Sequence, residues 1–377
     1  LDADATEVSV EVKSNKLGGV ELIQIIDNGT GFSIERCKET FGLVGDSPKK
    51  RAHRSPGGRV LHGREGQGRL KAFGIAAHVR WTSTYREENQ LQTIQVEIDD
   101  KSLKKCEVRK LDTSPRNTGV QVELTGLVAD LGSLSAVDFP IQELGRRLAL
   151  SLRQYPVISL QYNKRLIDPS TYELARATLP ISVTSSSNRN LTGTLDVIEW
   201  KFPAERSLCL CDDDGFTRAE VQVGIHAKGF EFTAYLKSSE FNGIEVGAVS
   251  DIAEMLPDAR SLIEAARDEL RSYFRKRESK NAEEIVDTWK KEGIYPFSEA
   301  ILSPVVRVEQ EVFNACAVKV HEYLPDFKKS DKQSKRLTLQ LLRQSIESNP
   351  QSVKKILSEV LALPPDKQDS LASLLDE

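Results

Sequence analysis

No run of about 18 apolar residues occurs in the 377-residue chain, which excludes a membrane-spanning helix read from hydropathy. Cysteine is scarce and odd in number, five in all, which excludes a disulfide scaffold and points to a reducing, cytoplasmic setting. No excess of one charge exists. Lys plus Arg is 52 and Asp plus Glu is 56, giving a net charge of -4. That balance excludes a uniformly basic nucleic-acid coat and a disordered acidic tail, and leaves room for local basic patches. The segment Leu1-Asp2-Ala3-Asp4 carries no signal-peptide pattern, and no repeat or low-complexity tract is found. The absence of a starting Met leads us to expect that Leu1 lies inside a longer protein.

What the sequence does have is alternation. In residues 6–12, Val8, Val10 and Val12 fall on one side and Glu7, Ser9 and Glu11 on the other, the pattern of a half-buried strand. Turn residues at 15–19 and an apolar run at 20–26 predict a hairpin. Further strands are predicted at 79–85, 93–98, 106–111 and 119–124. Residues 68–77 have the composition of a buried helix. Together these predict a mostly antiparallel sheet with helices on one face. Residues 142–154 predict a helix with Leu144, Leu148 and Leu152 in one stripe, ended by Pro156. Short β-rich runs at 157–162, 191–200, 219–225 and 230–236 predict a second α+β domain. From Leu256 the pattern is helical, with Ile263, Ala266, Leu270 and Phe274 on one face. Residues 306–324 form another helix, 326–335 a polar hinge, and Pro350, Pro364 and Pro365 punctuate three short final helices.

Chemistry concentrates in two places. The first is Ile25-Ile26-Asp27-Asn28-Gly29-Thr30-Gly31, an apolar strand closing on an acid and two spaced glycines. A carboxylate accepts hydrogen bonds and cannot donate them. It therefore suits the exocyclic amino group of adenine and opposes the carbonyl of guanine. The glycines permit close backbone approach and positive φ. An ordinary Asp-Asn-Gly turn is the bland alternative. The second is Gly63-Arg64-Glu65-Gly66-Gln67-Gly68-Arg69-Leu70-Lys71, running into the apolar stretch 72–77. Glycines before a helix expose backbone N–H groups to phosphate, and Arg69 and Lys71 add positive charge. The spacing is neither that of a Walker A loop nor that of a Rossmann loop.

In their order, these motifs resemble the GHKL ATPases: DNA gyrase B, heat-shock-90 chaperones, histidine kinases and MutL, with the MORC proteins nearby. Leu1-Asp2-Ala3-Asp4-Ala5-Thr6 looks like the tail of the family's first motif. The resemblance implies a nucleotide site formed by Asp27, Asn28, Gly29, Gly31, Gly63, Gly66, Gln67, Gly68, Arg69, Lys71 and Thr118. In it Asp27 reads adenine, the glycines wrap the phosphates, and Thr118 supports the adenine contact. It also implies ATP with Mg²⁺, and a general-base Glu and a Mg²⁺-binding Asn expected before Leu1. Lys49 and Lys50 are candidate lid residues in a loop whose Gly57-Gly58 pair is a candidate hinge. Lys201, Lys228 and Lys237 are alternative candidates for a transducer lysine.

The fold expected is α+β. A Bergerat-type α/β sandwich binds ATP over residues 1–135, a transducer-like α+β domain follows over 136–250, and helical regions occupy 251–325 and 326–377. The expected function is a Mg²⁺-dependent ATPase acting as a nucleotide-driven switch that dimerises on ATP binding. A partner protein or downstream domain, a nucleic-acid link and a bacterial defence role are part of that expectation. The alternatives are a non-hydrolysing nucleotide-gated interaction module and a histidine kinase. The pair Cys209-x-Cys211 lacks a second ligand pair and reads as half-buried strand cysteines. The cluster Trp289, Tyr295, Pro296 and Phe297 reads as a helix–helix core.

Overall fold

The computed structural model describes residues 2–37, 54–59, 71–103, 107–112, 116–127, 131–135, 138–185, 188–227, 229–244, 256–297 and 304–348. The chain divides into two compact units, residues 1–269 and 270–377.

The first unit is built on the predicted hairpin. Strand β1 (Glu7–Ser14) pairs antiparallel with β2 (Val20–Asp27), from Val8 opposite Asp27 to Ser14 opposite Val20. Asn15 makes the turn: its side-chain oxygen accepts from the N–H groups of Leu17 and Gly19. The sheet continues with β3 (Ala76–Glu87), β4 (Gln90–Asp99), β5 (Glu107–Leu111) and β6 (Gly119–Leu127). Strands β7 (Ser159–Tyr162) and β8 (Arg165–Leu166) complete it in the order β5-β4-β3-β6-β2-β1-β7-β8. Its pairs are antiparallel except β1 with β7, where Glu7 to Val10 run beside Ser159 to Tyr162. The fold is therefore α+β around a large, mostly antiparallel sheet.

Two expectations change here. The strand at 157–162, read as part of the second β-rich region, joins the first sheet instead. Leu160 and Tyr162 bury beside Ile141 and Ile167, against Val8, Val10 and Val12 of β1, so β1 supplies both its hydrogen bonds and its apolar contacts. The helix read over 68–77 does not include its last residues. Ala76 already pairs with Leu127 in the sheet, and the 3-10 turn Ala72–Gly74 precedes it; residues 68–70 lie outside the described residues. Phe73 of that turn packs 6.4 Å from Trp81 on the sheet face.

Helix α1 (Asp138–Gln154) carries the predicted stripe, with Leu144, Leu148 and Leu152 packed beside Ile141 and Tyr162. Its Ala149 faces a second sheet, where it meets Ile198, Trp200, Cys209, Cys211 and Tyr235. That sheet holds β9 (Glu173–Thr184), β10 (Asn190–Trp200), β11 (Ser207–Cys211), β12 (Thr217–Gln222) and β13 (Phe232–Lys237), in the order β12-β11-β13-β10-β9. Cys209 and Cys211 are buried in this core, and burial pushes each thiol up to about 12, so both behave as small apolar side chains.

A partly buried ion pair lies within α1, and a hydrogen bond from the second sheet reaches the same turn. Glu143 accepts from Arg146 Nε at 3.0 Å and from Arg147 Nε at 2.5 Å, and Arg146 is 5% exposed. The Arg146 backbone carbonyl accepts from the Tyr235 hydroxyl at 2.9 Å. These guanidinium groups, Arg146 first, hold the Glu143 carboxyl down at about 2. A depressed carboxylate stabilises the fold above its unfolded pKa, and that contribution is lost as pH falls through the folded value. Glu143→Gln is expected to cost about 2–3 kcal/mol at neutral pH, allowing for partial exposure, and less than half of that near pH ~3. Urea unfolding of both proteins at the two pH values measures this.

Helix α2 (Pro257–Glu292) begins in the first unit, where Ala259, Leu262, Ile263 and Ala266 are buried. Arg267 donates to the carbonyls of Gln222 and Val223, and Arg189 pairs with Asp258 and Glu240.

The second unit is helical. It comprises the rest of α2, then α3 (Pro304–Tyr323), α4 (Pro325–Lys329) and α5 (Lys332–Ser348). Trp289, Phe297, Phe313, Phe327, Leu339 and Ile346 form its core, so the aromatic cluster closes a helical core as read. The polar hinge expected at 326–335 is two helix segments instead. Phe327 is buried and holds α4 in place, and Asp331 caps α5 by accepting from the N–H groups of Gln333 and Ser334. The helices expected after Pro350 lie outside the described residues. Among the described residues, no helix is long and apolar enough to cross a membrane.

Candidate functional site

Strand β2 ends on Asp27 because its partner strands leave the sheet there. Opposite Asp27 lie Val8 at the start of β1 and Val120 at the start of β6. The half-buried carboxylate accepts from Gly29 N–H at 2.8 Å and from the Val120 backbone. Burial raises its pKa, and the two backbone hydrogen bonds only partly offset this. An ionised Asp27 thus costs the folded state stability, and that cost disappears as pH falls through its raised pKa. A desolvated acceptor at a strand end is suited to a neutral donor such as an aromatic amine.

The following loop is fastened at three points. Asn28 Oδ1 accepts from the N–H groups of Thr6 and Glu7 at 2.8 and 2.9 Å, and its amide donates to Thr6 Oγ1. Thr30 N–H donates to the Ala3 carbonyl at 2.9 Å. Ser83, fully buried on β3, accepts from Phe32 N–H at 2.7 Å and donates to the Phe32 carbonyl at 2.9 Å. The glycines serve these contacts. A Cβ on Gly29 would lie 2.6 Å from the Ala3 carbonyl oxygen, and one on Gly31 (φ +68) would lie 2.2 Å from that of Thr84. The close approach that each permits in the protein alone is therefore to protein backbone.

Thr118 directly precedes β6. The register Asp27 opposite Val120 places it at the same end of the sheet as Asp27 and the loop 28–31. Gly119 packs on Asp27 itself: its Cβ position lies 2.2 Å from the Asp27 carbonyl oxygen. Asp27, Asn28, Gly29, Gly31 and Thr118 are thus brought to one place. Lys71 is exposed and opens the turn Ala72–Gly74, which leads to the far end of β3, where Ala76 faces Leu127. Gly63, Gly66, Gln67, Gly68, Arg69, Lys49 and Lys50 lie outside the described residues.

Sequence reading missed the residues that anchor the segment 54–59. Asp4, at φ 54, accepts from Ser55 Oγ at 2.5 Å and from Gly57 N–H at 2.9 Å. Arg59 donates to the Ala5 carbonyl at 2.5 Å and stacks 5.7 Å from the Tyr155 ring. Gly57 and Gly58, read as a hinge, form a tight turn clamped to Asp4, with Gly58 N–H donating to the Ser55 carbonyl. The Asp at position 4 in the first motif was the only available signal.

Of the candidate transducer lysines, Lys201 donates to the Thr171 carbonyl at 3.1 Å and Lys237 to Asp196 at 2.7 Å, while Lys228 lies outside the described residues. Burial alone would raise the Asp196 carboxyl, but Lys237, Thr178 and Arg176 outweigh it and hold it below the usual range. A separate cleft of about 420 Å³ lies between Arg153, Gln154, Arg176, Asp213, Asp214 and Lys237.

Residues 1–124 match the family model for histidine kinase-, DNA gyrase B- and HSP90-like ATPases. The N-terminal domain belongs to the GHKL superfamily. This domain carries the sheet end at Asp27 and the loop that follows it. A putative type II restriction enzyme, HgiDII of Herpetosiphon aurantiacus, is 40% identical over 75 residues. That stretch is 20% of this chain and 11% of the relative's length. Among solved structures, the ATPase region of Saccharomyces cerevisiae topoisomerase II is similar at 9% identity and a TM-score of 0.37, covering 63% of this chain and 68% of that one. The same region bound to ICRF-187 (dexrazoxane) gives a TM-score of 0.38 at the same identity and coverage.

Proposed function

We propose that the GHKL domain binds ATP with the adenine amino group on the Asp27 carboxylate, and that this binding drives a conformational switch. The observation that carries the reading is Asp27 itself, a half-buried carboxylate at the close of β2, held by two backbone N–H groups and flanked by a fixed loop. In this reading Asn28 and Ser83 hold the loop in position, Gly29 and Gly31 let it pack, and Thr118 supports the purine from β6. Gly63, Gly66, Gln67, Gly68, Arg69 and Lys71 face the phosphates, with Lys49 and Lys50 in the lid.

Mg²⁺ would neutralise the phosphates when bound. Its protein ligand and the general base belong to the part of the first motif that precedes the residues matching Leu1–Thr6, so no hydrolytic step is assigned to a residue of this chain. Among the described residues, no group of three or more His, Cys, Asp or Glu is placed to hold a metal. The clamp from Asp4 to Ser55 and Gly57 supports the switch, because it links the first motif to the segment leading towards the phosphate-facing glycines. The second α+β region is read as the transducer of the gyrase, MutL and MORC branch. ATP-dependent homodimerisation and action on DNA, a role suggested by the restriction-enzyme relative, complete the reading.

Nucleotide selectivity tests the base assignment. In equilibrium titrations ATP is expected to bind at least about 100-fold more tightly than GTP, because guanine sets a carbonyl acceptor against the carboxylate. Equal affinities would remove Asp27 from base recognition.

A further inference from the structure

The elbow between α4 and α5 gathers five cations within nine residues: Lys328 and Lys329 on α4, then Lys332, Lys335 and Arg336 on α5. All but Lys335 are exposed. Some other cations of this unit have partners: Arg343 pairs with Glu347, Lys319 with Glu322 and Lys290 with Asp287. Among the described residues, none of the five elbow cations has an ion pair.

Two acids share the stretch. Asp326 lies on the first turn of α4, and Asp331 is occupied as the cap of α5, accepting from Gln333 N–H at 2.8 Å, Ser334 N–H at 3.1 Å and Ser334 Oγ at 2.6 Å. The cations also converge in space. His321 of α3 stacks on Trp289 and Phe327, at 5.8 and 6.0 Å. Burial first, and then the charges of Lys328 and Lys335, hold its pKa low. Lys328 of α4 and Lys335 of α5 thus both act on His321, opposed by Glu322. Like charges clustered in this way repel one another weakly, and an outside polyanion relieves that repulsion.

We propose that this elbow docks the phosphodiester backbone of duplex DNA without reading its sequence. Duplex DNA presents one negative charge about every 1.7 Å along its axis, so five cations find phosphates in any register. An anionic membrane fits less well. The exposed Leu337 and Leu341 of α5 sit about 100° to 180° around the helix from Lys332 and Arg336, so apolar insertion and cation contact fall on different sides. The inference does not depend on the nucleotide reading, because it rests on the second unit alone.

The test uses the 377-residue chain and a labelled duplex of about 30 base pairs, followed by fluorescence anisotropy across a range of KCl. Wild type should bind two unrelated sequences equally, with a log–log salt slope of about -3 to -4.5. Changing Lys328, Lys329, Lys332, Lys335 and Arg336 together to Gln should weaken binding on the order of 100-fold at ~50 mM salt and flatten the slope. A control changing Lys13, Lys16, Lys101, Lys110 and Lys164 to Gln lowers the net charge equally and should lose less than roughly threefold. The proposal is overturned by any of three results: no DNA binding by wild type at low salt, an equal loss in the control, or an elbow-dependent affinity for phosphatidylserine vesicles in place of DNA.

Discussion

Asp27→Asn is expected to abolish measurable ATP binding while leaving the domain folded. The reason is a count of acceptors. Asp27 already accepts from Gly29 N–H and from the Val120 backbone, and in the proposed complex it also accepts from the adenine amino group. Asparagine has one oxygen and one NH₂ at that place. Whichever way the amide turns, a donor faces a donor, either the purine or the protein backbone. Losing a charge-assisted hydrogen bond and stranding a partly buried donor together cost about 3–5 kcal/mol, or at least about 100-fold in affinity. Burial disfavours ionised Asp27, so the neutral amide should leave folding stability unchanged or slightly raised at neutral pH. Calorimetric titration and a thermal melt on the same sample separate the two effects. Wild-type affinity in the variant would refute the adenine assignment.

The second large effect concerns folding. Gly31→Ala should destabilise the first unit by at least about 3 kcal/mol, and Gly18→Ala by only about 1 kcal/mol. Both glycines have positive φ, +68 and +84, so both variants carry backbone strain. They differ in what a methyl group meets. At Gly18 nothing lies within 4 Å, whereas at Gly31 the Thr84 carbonyl oxygen stands 2.2 Å from the new carbon. Thr84 cannot retreat, because β3 is paired there on both sides, with Thr93 and with Gly119. Denaturant midpoints for the two variants would contradict this packing if they fell together.

The elements readable in the sequence are those whose pattern is local. Alternation along 6–12 and the turn at 15–19 define the first hairpin, and the stripe of Leu144, Leu148 and Leu152 defines α1. The sheet end at Asp27 was readable because an apolar strand closing on an acid and two glycines is unusual in itself. Other features depend on distant partners. Strand β9 passed unnoticed because the inward positions of its first half are the small Ala175 and Ala177 and it contains Pro180. It is stable because it pairs along its length with β10 at the sheet edge, where proline is tolerated. The parallel pairing of β7 with β1 joins residues about 150 positions apart, and nothing in the local sequence announces it. The glycines at 29 and 31 read in the sequence as positions of close approach to a base or sugar; in the protein alone the backbone of Ala3 and Thr84 lies against them. The clamp formed by Asp4, Ser55 and Arg59 has no sequence signature beyond an acid in the first motif.

The most direct test of the central claim is a crystal structure of the chain with a non-hydrolysable ATP analogue. The adenine amino group should lie within hydrogen-bonding distance of the Asp27 carboxylate, beside Thr118 and the loop 28–31. A purine bound elsewhere, with the Asp27 carboxylate still holding only Gly29 and Val120, would contradict it.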